Sequence, residues 1–103
     1  MPEMTFTVRW PDDTVQQCYS PSLVVHDHLS AGESYSVEEF TTRCRTALTE
    51  ASDRVRARYG MGCSAAVAQL QDLTVRAAGF APTAPVHVLD LTPPLPPTPG
   101  ATP

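Results

Sequence analysis

The stretch from Ser36 to Gly60 has the fewest conformations open to it. Ser36-Val37-Glu38-Glu39 is a capping box: the serine hydroxyl can take the amide three residues on, and Glu39 can reach back. At 100° per residue Val37, Phe40, Cys44, Leu48, Ala51 and Val55 fall on one narrow face. Glu38, Thr42, Thr49, Asp53 and Arg56 fall opposite. Glu39/Arg43 and Glu50/Arg54 are spaced i,i+4 with the acid first, the favourable order. Gly60 supplies the left-handed stop, so the spacing predicts a helix to Tyr59. Such a helix must bury its stripe, and the rest of the chain has to provide the surface.

The break after it, Met61-Gly62, is short, so a second helix over about Cys63 to Ala78 should pack back on the first as an antiparallel helical hairpin. Its apolar face collects Cys63, Ala66, Val67, Leu70, Leu73 and Ala77, and Gly79 closes it. Upstream, Thr5 to Trp10 alternate, with Phe6, Val8 and Trp10 on one side, which is the period of a half-buried strand. Pro11-Asp12-Asp13 makes a turn, and Thr14 to Tyr19 returns as the second strand of a hairpin. Parity puts Val15 and Tyr19 toward the core and Cys18 on the other face, with Gln17 sharing the Val15 side. Ser20-Pro21 reads as cap and first residue of a short helix to Leu29, ended by Ser30-Ala31-Gly32-Glu33. Val86 to Leu91, after the link Ala81-Pro82-Thr83-Ala84-Pro85, reads as the last strand. The expectation is an α+β fold with a three-stranded sheet of order 2-1-3, covered on one face by the helix pair. The last strand lies beside the first after a crossover of the usual hand.

A chain of 103 residues is one domain with one modest core, here residues 1–91. Residues 92–103 carry most of the prolines, which remove amide donors and fix φ, so that segment reads as a disordered proline-rich tail. The net charge is −4 and every basic residue but histidine is arginine, which argues against nucleic acid or an anionic membrane as partner. No apolar run approaches the roughly 18 residues of a membrane span. Met1-Pro2-Glu3-Met4 lacks the basic and apolar regions of a signal peptide. Three cysteines cannot all pair within one chain and show no Cys-x-x-Cys spacing. A cytoplasmic protein with reduced thiols is the expectation.

Chemistry-bearing residues are few. Cys44 sits mid-stripe and reads as a small hydrophobe. Cys63 stands where a helix N-terminus can stabilise a thiolate, though on the buried side. Cys18 is the thiol that neither helix stripe explains, and it shares the block Cys18-Tyr19-Ser20-Pro21-Ser22 with a phenol and two hydroxyls. His26 and His28 flank Asp27 at a spacing that does not share a helix face; only an irregular segment would let them chelate, with Cys18 or a carboxylate. His87 has no evident partner. Arg54, Arg56 and Arg58 complement the end of the helix dipole, and Arg54 and Arg58 share one edge of the stripe, where an anion or acidic partner would fit. No phosphate-binding glycine loop, carboxylate pair or Ser-His-Asp order is visible, no cofactor is implied, and the reading leans away from an enzyme.

Several blocks in order, Val8-Arg9-Trp10-Pro11-Asp12, Cys18-Tyr19-Ser20-Pro21-Ser22, Ala47 through Gly60, and Cys63-Ser64, make the chain resemble the small nitrogen-starvation-response proteins first described in mycobacteria. The resemblance runs from about Met4 to Ala78. In that family's pattern the hairpin turn tends to hold glycine where this chain has Asp13. The resemblance implies a gene neighbourhood with a nitrilase-type hydrolase, a radical SAM protein, an acetyltransferase-like protein and a flavin-dependent oxidoreductase, serving use of nitrile or cyanide nitrogen. It implies no catalytic residue; Cys18, Tyr19, Arg54, Arg58 and Cys63 lie within its blocks. The functional expectation is a non-catalytic accessory or interaction protein of that pathway, a homodimer with a pathway enzyme as partner. The alternative is a small thiol-dependent enzyme, carrier or metal-binding protein using Cys18 or Cys63.

Overall fold

The long helix forms where its caps place it. A computed structural model describes residues 3–93, in which helix α1 runs Val37–Tyr59. Ser36 Oγ accepts from the Glu39 amide at 3.1 Å, and Gly60 stops the helix at φ 84°. Glu39 turns its carboxylate to Arg43 at 2.8 Å, and Arg54 lies 3.7 Å from Glu50. Val37, Phe40, Cys44, Leu48 and Ala51 are buried as the stripe requires, joined by Ala47 and Ser52. Helix α2 runs Ser64–Ala77. Ser52 near the end of α1 meets Cys63 at the start of α2, whereas Arg45, earlier in α1, neighbours Leu70 and Thr74, so the hairpin is antiparallel. Of the apolar face foreseen for α2, Ala66, Leu73 and Ala77 are buried. Val67 is not; it is 50% exposed.

Beneath the helices lie four strands, not three: β1 Met4–Arg9, β2 Val15–Ser20, β3 Ser34–Ser36 and β4 Pro85–Thr92. The order is β2-β1-β4-β3 with every neighbour antiparallel. The first three places agree with the expected 2-1-3 order. The correction is the added edge strand Ser34-Tyr35-Ser36, too short and too polar to show a period of two. Because β4 runs antiparallel to β1, the handedness rule for parallel crossovers does not govern this connection. Thr92 belongs to β4 rather than to the tail; the expected disorder of 94–103 lies outside the described residues.

The register of β2 overturns the parity reading. Phe6 stands opposite Cys18 and Val8 opposite Gln16, and directly opposed residues in an antiparallel pair share a face. Since Phe6 and Val8 are fully buried, Cys18 is carried inward to 1% exposure and Val15 outward to 56%. The turn sets this register: Trp10 N donates to Thr14 O at 2.8 Å and Asp13 N to Trp10 O at 2.9 Å, with Asp13 at φ 68°. A short polar side chain such as that of aspartate tolerates this left-handed backbone.

The β1–β4 ladder steps from Thr7↔Asp90 to Val8↔Val88, leaving Leu89 as a bulge. The extra residue lets Val86, Val88 and Leu91 all point inward despite their mixed parity. In place of a short α-helix from Ser20, a 3-10 helix spans Leu23–Asp27, capped by Ser22 Oγ on the Val24 amide at 3.3 Å. Ser20 closes β2, and its hydroxyl donates to Ser22 O at 2.8 Å. The β-branched pair Val24-Val25 is buried by this tighter turn.

Trp10 joins the layers. It meets Phe40 edge-on at 5.5 Å and stacks on Phe80 at 5.6 Å between ring centroids. Its Nε1 donates to Gln16 Oε1 at 2.9 Å, and Arg76 Nη1 donates to the same oxygen at 3.2 Å. Gln16 Nε2 in turn donates to Asp72 at 2.6 Å, so the inward glutamine is satisfied from both helix and strand. The Tyr19 amide, on the outer edge of β2, is taken by Gln69 Oε1 at 3.0 Å, which ties α2 along that edge. No helix among the described residues is long and apolar enough to cross a membrane.

Candidate functional site

The end of α1, the start of α2 and the end of β2 converge on a cleft of about 200 Å³ lined by Glu3, Tyr19, Pro21, Val55, Tyr59 and Cys63. Cys63 is the N-cap residue of α2, with extended backbone at φ −92° and ψ 110°, and its side chain makes no cap bond. Its position is held through the backbone, where Cys63 N donates to Ser52 Oγ at 3.1 Å. Gly62 is needed here because a Cβ would stand 2.9 Å from that same hydroxyl. Ser52 is 7% exposed and was not singled out by the sequence; a hydroxyl at the rim of an apolar stripe, one helical hairpin turn from a cysteine, is the signal that was available.

Tyr19, expected as a core anchor, is half-buried at the β2 end of the cleft. Burial, reinforced by the Glu3 carboxylate at its hydroxyl and then by the Cys63 thiol, holds its phenol above the ordinary tyrosine range. The cleft therefore gathers two of the five candidate residues, Tyr19 and Cys63. Cys63 is the cysteine of the three that reaches solvent, being partly exposed while Cys18 and Cys44 are buried.

Cys18 does not reach the cleft. Its placement opposite Phe6 corrects the expected exposure, and burial pushes its thiol up to about 12. Burial likewise pushes Cys44 well above the ordinary thiol range, with Cys18 as a second cause, so the two thiols sit together in the core. Neither is a thiolate near neutral pH.

Arg54 and Arg58 are exposed on α1 and engaged within it. Arg54 faces Glu50, and the Arg58 guanidinium lies 5.8 Å over the ring of Tyr59, which itself lines the cleft. Arg56 pairs with Asp53 at 3.4 Å. His26 and His28 diverge: His26 Nε2 is 2.9 Å from the Pro93 carbonyl, and His28 Nε2 is 3.9 Å from Glu50. Among the described residues no three His, Cys, Asp or Glu side chains gather as metal ligands. His87 does have a partner, the Ser34 hydroxyl across the β3–β4 ladder, which the missed strand concealed.

With this geometry in place, the comparison with family models is decisive: the model described as nitrogen starvation-induced protein NitG matches residues 5–91. The chain belongs to the NitG family. The match covers the hairpin, both helices and most of β4, so the family unit and the described fold coincide. No curated protein and no solved structure matches the chain. Within this NitG-family fold, the outer face of the helical hairpin is a second surface feature beside the cleft at Cys63. On that second face Val67 is 50% and Val75 76% exposed. A hollow of about 490 Å³ lies at Val75, lined also by Arg45, Leu70, Gln71 and Thr74. A second, of about 690 Å³, continues past Arg45 to Glu38, Phe80 and Pro82.

Proposed function

We propose that this NitG-family chain works in the cytoplasm as a non-catalytic accessory protein of the nitrogen-starvation response, acting by association with its own kind and with an enzyme of that response. The observation that carries the reading is the apolar outer face of the helical hairpin. Val67 and Val75 stand out from α2 at 50% and 76% exposure, and Val75 lines one of two hollows that share Arg45. A domain that leaves aliphatic side chains exposed next to a groove has the surface of a docking protein. The test is capture by the tagged full chain from nitrogen-starved cells. Recovery of a nitrilase-type hydrolase or another enzyme of the same response is the expected result, and a chain that recovers none of them removes the reading.

A thiol-based role is favoured by one specific observation, the opening of Cys63 into a cleft with Tyr19, Tyr59 and Glu3. Alkylation of Cys63 followed against pH decides it. A rate that saturates near neutrality supports thiol chemistry, and one that goes on climbing through the ordinary thiol range removes it.

A further inference from the structure

The groove on the outer helical face carries opposite charges in a self-complementary arrangement. Glu38 and Arg45 both line it. They stand seven positions apart on one helix, two turns and about 10 Å apart on the same side. The other acids that follow on α1 are paired within the helix: Glu39 with Arg43, Glu50 with Arg54, Asp53 with Arg56. Glu38 and Arg45 have no ion-pair partner among the described residues. Around them the lining is largely apolar, with Val37, Ala77, Phe80 and Pro82 at one end and Leu70 and Val75 at the other. The end is rigid, since the α1 amides of Val37 and Glu38 donate to Ala84 O at 2.8 Å and Pro82 O at 3.0 Å.

We propose that a second copy of this chain covers this seam, in a two-fold dimer in which Glu38 of each copy pairs with Arg45 of the other. An acid and a base two turns apart on one helix match themselves when the same helix is laid antiparallel across them. A two-fold axis passing at the level of Thr41 and Thr42 brings both pairs together at once, which an isologous interface requires. The same axis sets Val75 of one copy toward the Phe80 and Pro82 end of the other, so exposed apolar groups meet apolar groups. Charged pairs on both sides of the axis fix register and orientation; the aliphatic contacts supply most of the affinity. The inference deepens the association reading above by naming its first partner and the surface used.

Sedimentation of the full chain over a range of concentrations tests it. The natural chain sediments as a dimer at the upper concentrations. Glu38→Arg and Arg45→Glu singly bring like charges together and weaken self-association by at least about tenfold. The double exchange E38R/R45E restores it to within about threefold of the natural chain. Both positions are exposed, and far-UV circular dichroism with thermal melting on each variant confirms folding. A natural chain that stays monomeric, single reversals that change nothing, or a double exchange that fails to restore the dimer would each overturn the proposal. A monomeric chain that still captures a pathway enzyme removes this interface and leaves the accessory role standing.

Discussion

At single residues, position in the fold decides what a side chain can do, and Asp13 shows it most directly. Its φ of 68° lies in the left-handed region, where a short polar side chain is tolerated and a β-branched one is not. Asp13→Val should lower stability by about 1–2 kcal/mol in denaturant unfolding, while Asp13→Gly should leave it nearly unchanged. The cysteines separate in the same way. In the folded protein a small alkylating reagent should modify Cys63 and spare Cys18 and Cys44, with all three reacting in denaturant; mass spectrometry of the modified peptides reads this directly. Burial also sets a pH dependence. The Cys18 thiol titrates at about 12 in the folded chain against an ordinary value of 9.0, so between those values the folded state holds a proton that the unfolded chain releases. Stability from this group is fully present below pH 9.0 and declines as pH rises toward about 12. The limiting slope is about 1.4 kcal/mol per pH unit for one proton. Cys18→Ala should be less stable at neutral pH because it opens the core, yet show a shallower alkaline decline. An unaltered alkaline slope would mean the thiol is not responsible.

Among the elements, α1 was legible almost to the residue because its determinants are local: Ser36 at one end, Gly60 at the other, and i,i+4 pairs between. Replacing Ser36 by alanine removes the oxygen that takes the Glu39 amide and should cost about 1 kcal/mol, measured by thermal unfolding. The failures share a physical cause, which is that they depend on pairing rather than on local pattern. The parity of Val15 and Tyr19 points Cys18 outward, whereas its side is dictated by Phe6 across the ladder. The strand Ser34–Ser36 has no period of its own and exists because β4 offers it an edge. The bulge at Leu89 reconciles a parity break between Val88 and Leu91 that a strand of uniform pleat could not bury. For the candidate site, Cys63 was found from its place at a helix start and Tyr19 from its block, but their meeting with Glu3 and Tyr59 is a product of the tertiary fold. The joint between the helices makes a further prediction. Gly62→Ala drives a Cβ to 2.9 Å from Ser52 Oγ, so it should displace the hydroxyl from the Cys63 amide and destabilise the hairpin by about 1–2 kcal/mol. Ser52→Ala should cost a similar amount, and the double variant less than the sum, because both act on one hydrogen bond.

For the molecule as a whole, the question is whether sheet and helical hairpin are one cooperative unit or two. The arrangement of Trp10 argues for one. Its indole is 1% exposed and touches groups from every layer: Phe40 on α1, Phe80 beyond α2, and through Gln16 both β2 and the α2 residues Asp72 and Arg76. The core cluster is likewise continuous from Phe6, Val8 and Val88 of the sheet to Phe40 and Leu48 of α1 and Leu73 of α2. Lifting the helical layer would expose the inner face of the sheet all at once, leaving a thin sheet with no core of its own. Trp10 is also the chain's one tryptophan, so its fluorescence reports this junction without interference. On denaturation the red shift of Trp10 emission and the loss of helical far-UV dichroism should therefore share one midpoint and one slope. A β-sheet infrared band that survives to a higher denaturant concentration than both signals would show that the helices melt away from a persisting sheet. That outcome would also weaken the case for a dimer built on the helical face, because an interface of that kind needs the two helices held in fixed register by the sheet beneath them.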